Sequence, residues 1–398
     1  MFLSGAFSLA KFVEGWSWNS HSPCIALFDQ REHRRLRNCT PWRKKRVVSA
    51  PRWCLQSSLS VIVPTYNRLR ELKTCLDCLE DQTDPGTDYE VLVIDDSSTD
   101  GTAEWLERAQ RVEMLYPHVR LLRQEHNGGP ARARNRGVDV ASGDVLVFVD
   151  SDIMVSNGFL RAHWLAHAEA RGKPIIAVGP VLHVHSLDAK ERRLRFHPLF
   201  DASRAFFCTS NASVSGSFFR QCGCFDEDFC LYGWEDLECG ERLRLAGQGQ
   251  LRHIRLPWSA DGALAFHYKP PFDLNQIPRL IQQEQERGTM GFLFYRKMPT
   301  WSVRMMIQYT WFHRILWFVL TWAGFWNVER IRPLLAILIG MRQPDVALFI
   351  FTIVLNRITC EAVFHAAAHH RTQDPTLSAI SPKRFKAPSS EHPQSAAE

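Results

Sequence analysis

LSVIVPTYNR, Leu59–Arg68, opens on a continuous apolar run and closes on a polar cluster. A run that is apolar throughout, rather than at every second position, marks a strand buried on both faces. Arg68–Asp81 follows with Leu69, Leu72, Leu76 and Leu79 at three- and four-residue spacing, which predicts a helix with one apolar stripe. YEVLVID (Tyr89–Asp95) reads as a second buried strand, and a helix is expected from about Thr102 to Gln110. VRLLRQ (Val119–Gln124) is a third strand, Pro130–Ala141 a short helix and DVLVFVD (Asp144–Asp150) a fourth strand. Such alternation predicts an α/β fold, a Rossmann-like and mostly parallel sheet flanked by helices.

Composition agrees with a folded chain. The 398 residues are 45% hydrophobic and 23% charged, which excludes extended disorder and collagen-like repeats. A net charge of +6 is too mild for a nucleic-acid partner and fits contact with anions or a membrane surface. The eleven cysteines lack paired CxxC spacing, so reduced thiols in a cytoplasmic protein are expected.

In open α/β sheets ligands sit beyond the carboxyl ends of the strands, and the polar clusters fall there. They are Thr65-Tyr66-Asn67-Arg68, Asp95-Asp96-Ser97-Ser98, Asn127-Gly128-Gly129 and Asp150-Ser151-Asp152. Asp150 and Asp152, two apart, are expected to face one ion; hard oxygen ligands suit Mg²⁺ or Mn²⁺ held jointly with a substrate diphosphate. The alternative is a helix cap and turn. Asp95 and Asp96 suit a base edge or ribose hydroxyl, with one of the pair capping a helix. The glycines of NGGPARARNRG (Asn127–Gly137) are expected to present free amides to an anion at a helix start, and Arg134 is the arginine expected to join them. GWEDLECGERL (Gly233–Leu243) sets Glu235 and Asp236 at a helix opening, as a general base or as residues favoured by the helix dipole. Trp234 is expected to offer a wall on which a sugar stacks, and His267 to complete a metal shell or simply to pack.

These motifs, in this order over roughly Leu59–Lys269, resemble the family-2 glycosyltransferases of GT-A fold, with GWED similar to the acceptor segment of galactosyltransferase-type enzymes. The resemblance implies a nucleotide-diphosphate sugar donor (UDP-linked), a divalent cation (Mn²⁺ or Mg²⁺), a saccharide or lipid-linked acceptor, and inversion at the anomeric carbon in surface glycan or glycolipid synthesis. Pro64, Thr65, Asn67 and Arg68 would border the nucleotide, Asp96 would read the base and Arg134 would lie near the diphosphate. Asp95, Gly129, Ser151 and Trp234 complete the expected sugar-nucleotide set. Asp150 and Asp152 match the metal- and ribose-binding DxD, and Asp236, or else Glu235, the catalytic base. A non-catalytic nucleotide-sugar-binding or scaffolding relative is the alternative.

The remaining chain divides by composition into a leader (1–57), the catalytic domain (58–270), a helical acceptor or membrane-associated region (271–372) and a disordered tail (373–398). The leader carries the basic knot Arg43-Lys44-Lys45-Arg46, read as a lipid contact or a loose leader, and no signal peptide is expected. Leu280–Lys297 reads as a helix broken near its glycines. Met305–Trp326 is nominally long enough to cross a bilayer, but Gln308, His313 and Arg314 interrupt it, so a helix lying in the interface is expected. Val346–Leu355 is too short to span. The expected location is cytoplasmic, at the inner face of a membrane.

Overall fold

A computed structural model describes residues 58–170, 173–188, 206–247, 250–259 and 262–373. The leader with its basic knot, the tail beyond Gln373 and the segment 189–205 lie outside the described residues.

The chain runs β1 (Leu59–Thr65), α1 (Leu69–Glu80), β2 (Tyr89–Asp95), α2 (Thr102–Val112), β3 (Val119–Arg123), α3 (Gly129–Val140) and β4 (Val145–Phe148). Then come β5 (Ile153–Val155), α4 (Phe159–Glu169), β6 (Ile175–Val178), β7 (Val181–Val184), β8 (Ala212–Ser215), α5 (Gly216–Gln221), α6 (Glu235–Ala246), β9 (Arg252–Arg255) and β10 (Ala265–Tyr268). The main sheet has the order β3-β2-β1-β4-β8-β6-β9, and β5-β10-β7 forms a second, three-stranded sheet. Pairings β3–β2, β2–β1, β1–β4 and β6–β9 are parallel, whereas β8 runs antiparallel to β4 and β6. This is a mixed α/β architecture with a mostly parallel central sheet.

Both faces of the sheet are covered, as continuous apolar strands require. Val61, Val63, Val91 and Val93 join one core with Leu72, Leu76 and Trp164. Ile62, Leu92, Ile94, Leu146 and Phe148 join the other with Phe207, Phe219 and Phe225. Phe148 is fully buried, with those three rings centred 5.8, 5.3 and 5.3 Å away. Truncating so enclosed an aromatic costs about 3–5 kcal/mol.

Helices follow: α7 (Ile277–Lys297), α8 (Trp301–Met306), α9 (Trp311–Leu320), α10 (Val328–Gly340) and α11 (Pro344–Gln373). Three expectations are corrected here. α7 is unbroken through its glycines. A Cβ on Gly288 would lie 2.5 Å from Cβ of Ala362 and 2.7 Å from the Thr359 carbonyl, so glycine is there for close approach of α7 to α11. Met305–Trp326 is no single helix. Gln308 adopts a left-handed φ of 62°, ending α8, and Thr310 caps α9 afresh by accepting from the His313 amide; Trp322 and Ala323 are left-handed as well. Val346–Leu355 lies within the 30-residue α11, and Pro344–His370 is, among the described residues, the stretch long and apolar enough to cross a membrane, with 44% of that window buried inside the protein.

Candidate functional site

The sheet order reverses between β1 and β4, from which β2-β3 extend one way and β8-β6-β9 the other. A crevice at the carboxyl ends of such a pair is where open α/β sheets bind ligands. The register Ile62↔Phe148, with the Val149 amide donating to the Ile62 carbonyl, sets Thr65–Arg68 beside Asp150–Asp152.

Arg134, on α3 beneath this crevice, organises it. Its Nη2 donates to Oδ1 of Asp150 at 2.7 Å and its Nη1 to Oε1 of Glu235 at 3.0 Å. It is 4% exposed, while Arg132 and Arg136 on the same helix are exposed. Burial works against its charge; Asp150 and Glu235 more than offset this and raise its pKa. Ser210 completes Asp150 by donating to Oδ2 at 2.8 Å. One cation thereby ties the end of β4 to the start of α6, and removing it would strand the buried Glu235 and the partly buried Asp150 at a cost of about 3–5 kcal/mol.

Glu235 and Asp236 open α6 from a tight turn in which Gly233 (φ 96°) and Trp234 (φ 77°) are both left-handed. A left-handed tryptophan is strained and persists only where its surroundings over-determine it. Here the indole Nε1 donates to the Arg287 carbonyl at 2.7 Å, and the ring packs among Met290, Phe294 and Ile307. Burial and the neighbouring Glu235 push Asp236 up to about 7. Oε2 of Glu235 is buried and unpartnered.

Asp152 faces Arg68 and His267. Its Oδ2 accepts from Nη1 of Arg68 and lies 3.1 Å from Nε2 of His267. β10 fixes His267 by pairing with Ile153 on one side and His183 on the other, and the Tyr268 amide donates to the Asp152 carbonyl. Burial opposes ionisation of Asp152, but His267 and Arg68 prevail and hold its carboxyl well below the usual range. Its Oδ1 is buried without a partner. Among the described residues no three His, Cys, Asp or Glu side chains form a ready cage. One open carboxylate oxygen nonetheless fits Mg²⁺ or Mn²⁺, which take one or two carboxylates and complete their shell from substrate phosphates.

Several expected roles change. The Gly128 and Gly129 amides are not free, since they donate to Oδ1 and Oδ2 of Asp96 at 2.8 and 2.9 Å. The helix start does bind an anion, but it is the protein's own. Gly129, at φ 82° with the Cys230 carbonyl 2.9 Å from where a Cβ would stand, tolerates no side chain. Asp95 is fully buried, and its Oδ1 accepts from the Ser98 amide at 3.0 Å, so Asp95 caps its own turn and does not border a ligand. Ser151 is likewise buried, at 2% exposure. Asn67, left-handed at φ 51°, spends its Oδ1 on the Thr99 amide at 2.7 Å and clamps the β1 loop to the β2 loop. Trp234 faces α7 and not the crevice, so it is no sugar platform. Pro64 and Thr65 lie at the end of β1, with the Thr65 hydroxyl buried and unpartnered.

Sequence reasoning passed over Ser210, Tyr232 and Arg287. Arg287 on α7 lies over the Tyr232 ring at 5.2 Å and 3.8 Å from Glu284. Tyr232 adjoins the GWED motif and could have been flagged from it. Arg287 has Glu284 one turn away on its own helix, but nothing local points to Tyr232, 55 positions earlier. Asn211-Ala212-Ser213 fits the Asn-X-Ser pattern of N-glycosylation, but Asn211 is fully buried and its amide donates to the Pro180 and Ala263 carbonyls.

Residues 60–223 match the family model described as Glycosyl transferase family 2. Validoxylamine A glucosyltransferase of Streptomyces hygroscopicus subsp. jinggangensis is 32% identical over 222 residues, 48% of this chain and 52% of that one. The uncharacterized glycosyltransferase YibD of Escherichia coli is 45% identical over 96 residues, 24% of this chain and 26% of that one. The chain thus spans about half the length, or less, of these curated relatives. Among solved structures, the mannosyltransferase PcManGT from Pyrobaculum calidifontis, in complex with GDP-Man and Mn²⁺, is 18% identical with a TM-score of 0.48, covering 90% of this chain and 96% of that one.

Proposed function

We propose that this chain, whose residues 60–223 form a glycosyl transferase family 2 domain, transfers a hexose from a nucleotide-diphosphate sugar to a hydroxyl of a saccharide or lipid-linked acceptor, with inversion. The observation that carries the reading is the convergence of Asp150, Glu235 and Asp236 on Arg134 at the sheet's switch point, with Asp152 and His267 alongside.

Asp236 takes the acceptor's proton as its oxygen attacks the anomeric carbon from the face opposite the departing diphosphate. A carboxylate poised near pH 7 by burial suits that task, being basic enough to accept the proton yet ionised in a useful fraction of molecules. Glu235 holds Arg134 in place through its Oε1 and, as a neighbouring carboxylate, makes Asp236 the stronger base. Arg68, whose side chain is 37% exposed, is placed to turn from Asp152 toward the diphosphate. The donor is read as UDP-linked, with Asp96 and the β1 loop bordering the nucleotide. Asp152 through Oδ1, with Asp150 and His267 beside it, would hold a divalent cation, and that ion supplies neutralising charge to the leaving phosphates when bound.

The test is a donor screen. The full chain incubated with a panel of nucleotide-diphosphate sugars and Mn²⁺ or Mg²⁺ is expected to release nucleoside diphosphate from one of them. Asp152→Asn should abolish this release with folding retained. Silence with every donor, or full activity of Asp152→Asn, would sink the reading.

A further inference from the structure

α9 is built inside out. Its buried face holds His313 and Trp317, tied by hydrogen bonds rather than by apolar packing alone. Nδ1 of His313 bonds the Thr310 hydroxyl at 2.7 Å, and Nε1 of Trp317 donates to Oε1 of Gln308 at 2.6 Å. Nε2 of Gln308 donates in turn to Oδ1 of Asn356 on α11 at 2.9 Å, and the Thr321 hydroxyl donates to the Trp317 carbonyl at 2.7 Å. The outer face carries Trp311, Phe312, Ile315, Phe318 and Val319, between 51% and 66% exposed. It continues into the next turn with Trp322 at 71% and Phe325 at 55%. A helix in water turns its polar face outward; this one turns it inward and satisfies it there.

Charge is arranged around the apolar face. Between Trp301 and Gln343 there are five arginines and a single acid, Glu329. Arg314 sits 4.8 Å from the Trp311 ring, Arg330 4.6 Å from Phe325 and Arg304 6.0 Å from Trp301. Tryptophan and phenylalanine bearing guanidinium groups at the same level are the signature of an element seated at the boundary between acyl chains and anionic headgroups. A second copy of the chain fits poorly, because a two-fold contact would set this arginine rim against itself. α9, at ten residues, is too short to cross, and α11 is packed along α7 at Gly288.

We propose that the outer face of α9 and the Trp322–Phe325 turn seat this protein on the surface of a bilayer containing anionic lipid, without crossing it. Because α7 also holds the Trp234 turn, this seat sets the crevice at a fixed height above the lipid.

The test is flotation of the full chain with vesicles of phosphatidylcholine alone or mixed with phosphatidylglycerol. The chain is expected to float with the mixed vesicles and to lose binding as salt rises. Trp311→Ser/Phe318→Ser/Trp322→Ser should weaken binding at least tenfold while circular dichroism and the melting temperature stay unchanged. Arg330→Glu/Arg332→Glu should weaken binding by more than about fivefold per arginine, each reversal removing an attraction worth about that much and adding a repulsion. No flotation, or equal flotation of the triple serine variant, would overturn the proposal. So would a dimer in vesicle-free solution that the triple variant dissolves. None of these outcomes depends on sugar transfer, so the seat and the enzymatic reading fail separately.

Discussion

In β1 and β4, Val61, Ile62, Val147 and Phe148 are fully buried and the charges gather at the strand ends, where Arg134 pairs them. In α9 and the turn that leads into it the partition runs the other way, with Gln308, Thr310 and His313 sealed inside and Trp311, Ile315 and Phe318 facing out. One chain thus obeys the water rule in its sheet and its inverse in this helix. Hydrophobic pattern locates an element's buried face only once the surrounding solvent is known.

The contrast can be strained by experiment, beginning where the effect is greatest. Asp236→Asn should lower transfer by about 10²–10⁴-fold, the range spanned by a lost general base. Its stability should move the other way. With a folded pKa of about 7 against an ordinary 3.8, Asp236 contributes most below pH 3.8 and loses that contribution as pH rises through 7, so the asparagine variant should melt higher than the parent at pH 8. For the same reason the acidic limb of the parent's pH–rate profile should be centred near 7. A limb near 4 would remove Asp236 from the base role.

Arg134→Ala comes next. Urea denaturation should show a loss of about 3–5 kcal/mol, whereas Arg132→Ala on the exposed side of the same helix should stay within about 0.5 kcal/mol. Equal costs would mean that the buried ion cluster does not hold the crevice together.

Acid then probes a buried network under the sheet. On α4, His163 bonds Ser213 at 2.8 Å through Nδ1 and Asn211 at 3.0 Å through Nε2, and His167 bonds the same Ser213 oxygen at 2.9 Å. Both protons of the Asn211 amide are engaged on carbonyls, so its Oδ1 must accept, and His163 carries its proton on Nε2. Ser213 then donates to Nδ1 of His163, which leaves His167 to donate to Ser213. Burial lowers the two imidazoles to about 4 and about 3. The unfolded chain binds protons that the folded one refuses between pH 6.5 and those values, so stability is full above 6.5 and falls as acid is added. At pH 5 each histidine should cost on the order of 2 kcal/mol, read as a melting temperature below that at pH 7.5.

The smallest effect tests the inversion itself. Ile315→Ser, at 62% exposure, should change stability by no more than about 0.5 kcal/mol in detergent-free buffer, while Val147→Ser in the sheet should cost several times that. Comparable losses would show that α9 buries its apolar face in solution too.

Much of the sheet and of the acidic cluster was legible in the sequence, because both rest on local signals. LSVIVP and VLVFV reveal strands by continuity, and DSD and GWED fall where strands or turns end. What escaped was decided by distant partners. Nothing near Gly128-Gly129 shows that Asp96, more than thirty positions earlier, takes both amides. Gly288 suggests a break until Ala362 is seen against it, and Trp234 suggests a sugar platform until the Arg287 carbonyl claims its indole. The left-handed Gln308 that divides Met305–Trp326 has no compositional mark at all.

The bond between the Trp234 indole and the Arg287 carbonyl makes the sheet domain a poor candidate for independent life. A chain cut ahead of Ile277 would keep the strands and crevice carboxylates described above, yet its left-handed turn would lose the α7 side of its support. Trimming the greasy helices to ease purification would therefore yield a protein that folds and binds but aims its base badly, and such a fragment's silence would say nothing about the intact molecule.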